Sequence, residues 1–204
     1  MTRRSFARAP TWLRPTIFGG GAIAIVAWLS RRSRSLSSPP AKISGSSPIA
    51  ISDQGTRFIA QFEGFDPKLV NDAAGHCTIG FGHLVHLGPC DGSEPAELRL
   101  GITRERGLEI LAQETADAAA IVSRLVTVPL TQAQFDALIS FAFNVGQTSF
   151  ATSTLLKLLN QGLYTSVPAQ LNRFVFAGGR RLSGLVARRA AEGRLFSTAD
   201  YGFS

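Results

Sequence analysis

Residues 63–84 read EGFDPKLVNDAAGHCTIGFGHL, and the order of elements in this stretch decides what the chain builds. Upstream, Phe58, Ile59 and Phe62 recur at helical spacing behind Ser52 and Asp53, both good N-cap residues. The pattern predicts a helix with Glu63 in its last turn and Gly64 just past its end. Beyond it, Lys68-Leu69-Val70 predicts a strand, Asp72-Ala73-Ala74-Gly75 a turn, and Cys77-Thr78-Ile79 the return strand. Gly80 and Gly82 interleave with Ile79, Phe81 and His83, and glycines alternating in a strand suggest close approach of a backbone or a ligand. A helix end, a turn and a strand therefore converge on Glu63, Asp72 and Thr78.

Those three residue types suit one chemistry. A helix C-terminus carries partial negative charge, which opposes ionisation of a carboxyl group placed there. Phe62 and Phe65 flank Glu63 and add desolvation, so both effects favour the protonated acid. An acid, a carboxylate and a hydroxyl around one cleft fit hydrolysis of a glycosidic bond. The acid protonates the leaving oxygen, while the carboxylate and hydroxyl hold the attacking water. The plainer reading of Glu63 is an ordinary surface glutamate.

The rest of the chain reads as helices. Thr103-Arg104-Glu105-Arg106 opens one amphipathic stretch with Leu108 and Leu111, continuing to Val126, and Pro129 redirects the chain. Phe135, Leu138, Ile139, Ala142 and Phe143 form a broad apolar face, most of it core. Leu155 to Leu159 continue the core, and Gly162 closes their helix. Arg188 and Arg189, with Glu192, read as surface charges on these terms.

The 204 residues suit one domain plus appendages, and 45% hydrophobic with 17% charged residues is an ordinary globular composition. The net charge of +7 is local. Residues 1–51 hold eight Lys/Arg and no acid, whereas 13 Lys/Arg face 14 Asp/Glu from Ser52 onward. A nucleic-acid partner is therefore not expected, and the basic residues from Arg173 to Arg194 read as solvated. Residues 1–32 read as a targeting or membrane-anchor segment: Pro15 to Ser30 is uncharged and fenced by Arg14 and Arg31. Sixteen residues fall short of a full span, and Thr2-Arg3-Arg4-Ser5-Phe6 looks like a twin-arginine signal. Residues 33–48, rich in Ser and Pro, read as a linker, which leaves 49–204 as the folded domain. The expected location is outside the cytoplasm, in the periplasm or tethered to the inner membrane of a bacterial cell.

Glu63-x8-Asp72-x5-Thr78, followed at once by Ile79-Gly80-Phe81-Gly82-His83-Leu84, resembles the active-site signature of the phage-type lysozymes, glycoside hydrolase family 24. Leu130-Thr131-Gln132-x-Gln134-Phe135 through Phe143-Asn144-x-Gly146 is similar to the family's central-helix motif. Phe176 to Gly179, then Gly184-Leu185-Val186-x-Arg188-Arg189-x-x-Glu192, resembles its C-terminal motif. The resemblance implies an α+β, mainly helical lysozyme fold with a small β-containing lobe and a larger helical lobe. It implies a peptidoglycan hydrolase that cleaves the β-1,4 bond between N-acetylmuramic acid and N-acetylglucosamine in glycan strands. Inversion is the family's usual course, with Glu63 as acid, Asp72 directing water and Thr78 as its partner. The same match places Leu84, Phe143 and Ser153 along the saccharide cleft, although Phe143 serves equally as core. A C-terminal arginine of the family pairs with the catalytic glutamate, a role open to Arg188 or Arg189. The leader resembles the signal-anchor of membrane-tethered endolysins. No cofactor or metal is implied, and a monomer is expected. The alternatives are a lytic transglycosylase, which needs only one acid/base glutamate, and a non-enzymatic wall-binding module.

Both cysteines and all three histidines fall between His76 and Cys90. Cys77, His83, His86 and Cys90 could be drawn as a tetrahedral zinc set, but the spacing matches no standard zinc pattern. A Cys77–Cys90 disulfide pinning the loop fits an exported protein better.

Overall fold

The computed structural model describes residues 50–203; the expected targeting segment and linker lie outside that range. Helix α1 (Asp53–Glu63) starts at Ser52, whose hydroxyl accepts the Gly55 N–H, and stops at Gly64 with φ of 73°. A three-stranded antiparallel sheet follows: β1 (Asp66–Asn71), β2 (Cys77–Gly80) and β3 (His83–His86), in that spatial order. The third strand corrects the sequence reading of a two-stranded hairpin with glycines alternating inside a strand. Gly80 and Gly82 have φ of 69° and 84°, so they turn the chain from β2 into β3. An L side chain rarely adopts that backbone, which is why glycine stands at both places.

The short α2 (Ala96–Arg99) leads into α3 (Arg104–Glu114) and α4 (Ala116–Leu125). The sequence predicts one continuous stretch here, and the structure breaks it at Thr115. This residue is fully buried, and its hydroxyl donates to the Ala112 carbonyl at 2.9 Å. A hydroxyl bonded back into the preceding turn competes with the helical ladder and bends it.

Helix α5 (Gln132–Val145) is the central element, opened by a capping box between Thr131 and Gln134. Nine of its fourteen residues are buried, as expected of a helix packed on several sides. Around it lie α6 (Gln147–Ala151), α7 (Thr154–Asn160), α8 (Val167–Leu171) and the long α9 (Ser183–Thr198). A two-stranded hairpin, β4 (Phe176–Ala177) and β5 (Arg180–Arg181), precedes α9. One apolar core joins Phe58 and Ile59 of α1, Leu111 of α3, Phe135, Leu138 and Phe141 of α5, and Leu195 and Phe196 of α9. The result is an α+β, mainly helical architecture with a small β-containing lobe beside a larger helical one, as the sequence implies. Among the described residues, no helix is long and apolar enough to cross a membrane.

Candidate active site

Glu63 is 8% exposed at the end of α1. Its burial follows from the helix: Phe58, Ile59 and Ala60 fix the inward face of α1, and Glu63 falls one turn further on. Three residues later the sheet begins, with Asp66 opposite Gly80 and Val70 opposite Thr78. The Thr78 hydroxyl is buried and donates to the Val70 carbonyl across this register at 3.3 Å. Asp72 sits at the hairpin turn, half-buried. Its Oδ1 accepts the Ala74 and His76 backbone N–H groups, each at 2.8 Å, which fixes the orientation of the carboxylate. Helix end and hairpin thus carry all three expected residues on one continuous run of chain, with Thr78 two residues across the ladder from Asp72.

The sequence reading surrounds Glu63 with apolar and dipolar neighbours, and the structure adds a cation. Arg188 Nη1 donates to Glu63 Oε1 at 2.6 Å, with both side chains 4% exposed. Of the two candidate arginines, Arg188 alone reaches Glu63; the guanidinium also lies 5.2 Å from the Phe62 ring centroid. Reading Arg188 and Arg189 as surface charges is therefore incorrect: both are buried. Each answers to Glu192, which is 0% exposed and accepts from Arg188 Nε at 3.2 Å, from Arg189 Nη1, and from the Ser140 hydroxyl at 2.7 Å. Arg189 is held further by Asn144 and stacks 5.0 Å from the Phe141 ring. Burial pushes its guanidinium down from its ordinary value, and Glu192 pulls it back. Neighbours at i and i+1 are separated by about a quarter-turn of helix, so adjacent arginines serve different walls of the core. Arg173, Arg180, Arg181 and Arg194, by contrast, are exposed.

The residues expected along the saccharide cleft are scattered in environment. Leu84 on β3 pairs across the sheet with Thr78 and is half-buried. Phe143 packs half-buried against the core from α5. Ser153 caps α7: its hydroxyl accepts the Leu156 N–H at 3.0 Å and donates to the Phe150 carbonyl at 2.7 Å. It borders a depression of about 440 Å³, with Thr152, Gln170, Arg173 and Phe174 among its other walls. None of Glu63, Asp72 or Thr78 lines that depression.

Ser140 and Glu114 escaped the sequence reading, and Asp136 entered it only as part of the central-helix motif. Asp136 is fully buried and accepts from Ser52, Gln132 and Tyr201, tying the start of α1 to α5 and the C-terminal tail. The signal was present, since Gln132 and Asp136 are polar and one turn apart in an apolar helix. Glu114 meets His83 Nδ1 at 2.8 Å. Cys77 and Cys90 form a disulfide, so their sulfurs are bonded to each other and not offered to a metal with His83.

Against known proteins, residues 60–192 match the phage lysozyme family. The chain belongs to that family. It is 39% identical over 153 residues to the endolysin of Acyrthosiphon pisum secondary endosymbiont phage 1, covering 73% of this chain and 99% of that protein. It is 40% identical over 121 residues to the SAR-endolysin of Escherichia phage Mu, covering 59% of this chain and 66% of the relative. A mutant of P22 lysozyme superposes with a TM-score of 0.63 at 34% identity, covering 72% of this chain and 97% of that one. The matched residues take in Glu63 at the α1 end and Asp72 and Thr78 of the hairpin described above.

Proposed function

We propose that this chain is a peptidoglycan hydrolase of glycoside hydrolase family 24, cleaving the β-1,4 bond between N-acetylmuramic acid and N-acetylglucosamine. Glu63, buried at a helix end and paired to Arg188, is the observation that carries the reading. Arg188 occupies Oε1, which leaves Oε2 to carry the proton to the leaving oxygen. Turn N–H groups hold Asp72 through Oδ1, so the carboxylate enters catalysis already oriented and directs water together with the Thr78 hydroxyl. Leu84, Phe143 and Ser153 contact the glycan. The enzyme acts as a monomer, and residues 1–32 deliver it across, or hold it at, the bacterial inner membrane as a signal-anchor. The relatives named as SAR-endolysins support that last step.

The test is product analysis. The full chain is incubated with isolated peptidoglycan, and fragments are identified by mass spectrometry. Products one water heavier with reducing N-acetylmuramic ends, absent with Glu63→Gln, are expected. Anhydro ends would move the assignment to a lytic transglycosylase, and the absence of products would leave a wall-binding module.

A further inference from the structure

The loop after β3 holds a cluster that the proposed hydrolysis does not use. Glu94 is 4% exposed, and among the described residues its ion pair is with His86 alone. Its Oε1 lies 3.4 Å from His86 Nε2 and 3.5 Å from Cys77 Sγ, and ligand atoms of all three residues fall within 4.8 Å of one another. Cys90 Sγ is bonded to Cys77 Sγ and lies outside this group of three, 3.6 Å from the Val70 carbonyl. Zinc bonds of about 2.0–2.3 Å place neighbouring atoms of a tetrahedral ligand set roughly 3.3–3.8 Å apart. The two distances to Glu94 fall inside that window, and the third pair, Cys77 with His86, lies within 4.8 Å and closes on the ion.

The outer partners are also those a metal site needs. His86 Nδ1 lies 3.1 Å from the Leu87 carbonyl, which can only accept, so the proton belongs on Nδ1. Nε2 is then the nitrogen that points at Glu94. The Asp91 N–H donates to Glu94 Oε1 at 2.8 Å, fixing the carboxylate. A ligating histidine and carboxylate held in this way are typical of metal centres. The set differs from the one drawn from the sequence, because His83 is engaged by Glu114 and Glu94 takes its place.

We propose that Cys77, His86 and Glu94, with the Cys90 thiolate brought in as fourth ligand, bind one zinc-class divalent cation once the Cys77–Cys90 bond is reduced. A phosphine reductant takes oxygen from one water and becomes the phosphine oxide, while the two sulfurs take up its two hydrogens as thiols. Metal binding then releases both thiol protons to solvent. The sulfurs part from bonding distance to the edge of a tetrahedron, a shift of less than about 2 Å. The loop is thus cross-linked in either redox state, covalently when oxidised and through an ion when reduced. Since Cys77 precedes Thr78, both states pin the strand that carries the hydroxyl of the site.

Zinc uptake by the full chain in mild detergent tests this, measured against a chromophoric chelator with and without the phosphine. The reduced chain should take up one ion per chain, and the oxidised chain none. Cobalt(II) in place of zinc should give thiolate charge-transfer and tetrahedral d–d bands. His86→Ala and Glu94→Gln should each weaken binding about ten-fold or more, while His83→Ala should leave it unchanged. All cysteines and histidines of the chain lie in 76–90, so no other soft site competes. No uptake by the reduced chain, equal uptake by the oxidised chain, or unweakened binding in Glu94→Gln would each overturn the proposal. The Glu94 variant also separates a folded site from two thiols binding on an unfolded chain.

Discussion

Replacing Glu192 with glutamine probes the centre of the helical lobe, because the change keeps volume and removes one charge. Glu63, Arg188, Arg189 and Glu192 form one buried network of two carboxyl groups and two guanidiniums. Glutamine removes the negative charge that both guanidiniums share and turns an amide N–H₂ toward donors it cannot accept from. Removing one partner of a buried pair costs about 3–5 kcal/mol. Arg188 keeps Glu63 at 2.6 Å and the Ser140 carbonyl at 3.4 Å, and Arg189 keeps the Phe174 carbonyl at 3.3 Å. These remaining acceptors place the expected loss at the lower end, about 3 kcal/mol. For a folded unit of this size that corresponds to a fall in Tm of roughly 6–12 °C. Thermal and urea unfolding of the full chain, followed by circular dichroism, measure it. The double variant with Glu63→Gln leaves Arg188 without either carboxyl partner and should cost more than the two single changes together, by about 0.5–3 kcal/mol. A loss for Glu192→Gln below about 1 kcal/mol, the range of an exposed ion pair, would refute the reasoning. So would strict additivity in the double variant.

Gly55→Ala offers a test of sign. Alanine usually stabilises a helix interior by about 1 kcal/mol over glycine, yet here its Cβ would lie 2.5 Å from Asp136 Cγ. Overpacking of that kind costs about 1–3 kcal/mol, so Tm should fall, and a rise would show that Asp136 moves freely. Tyr201 donates to Asp136 Oδ2 at 2.7 Å, and burial followed by that carboxylate pushes its phenol up to about 12. A value raised in the folded state means that folding favours the protonated phenol. Its contribution is therefore complete below about pH 10, the unfolded value, and lost as pH rises toward 12. Urea unfolding across pH 9–12 should show that decline, and Tyr201→Phe should flatten it; an equally steep decline in the variant would assign it to other groups.

The helix end that carries Glu63 is legible in the residues around it. Ser52 capping a helix, apolar residues at 58, 59 and 62, and Gly64 beyond Glu63 are local signals, and together they place Glu63 in the last turn. The turn at Asp72 and the return strand through Thr78 are equally local, set by turn residues between two short runs of strand-favouring ones. The break at Thr115 is not legible, because a threonine bends or continues a helix according to how deeply its hydroxyl is buried. The strand β3 is hidden for a related reason: glycines at 80 and 82 fit a close approach or a turn, and only their positive φ decides.

By itself, then, the sequence determined the helix end, the hairpin and the spacing of Glu63, Asp72 and Thr78 along it. Tertiary structure alone decided the partners. Arg188 and Arg189 are adjacent and chemically identical, and they differ only in which wall the rotation of α9 turns each toward; Arg188 meets a carboxylate 125 residues away. Asp136 likewise gains its role from the start of α1 and the C-terminal tail folded against it. Hydrogen bonding and periodicity act over one turn of helix or one step of ladder, so they register in local sequence. The pairing of buried charges depends on how whole elements pack, and that is set by the core as a unit.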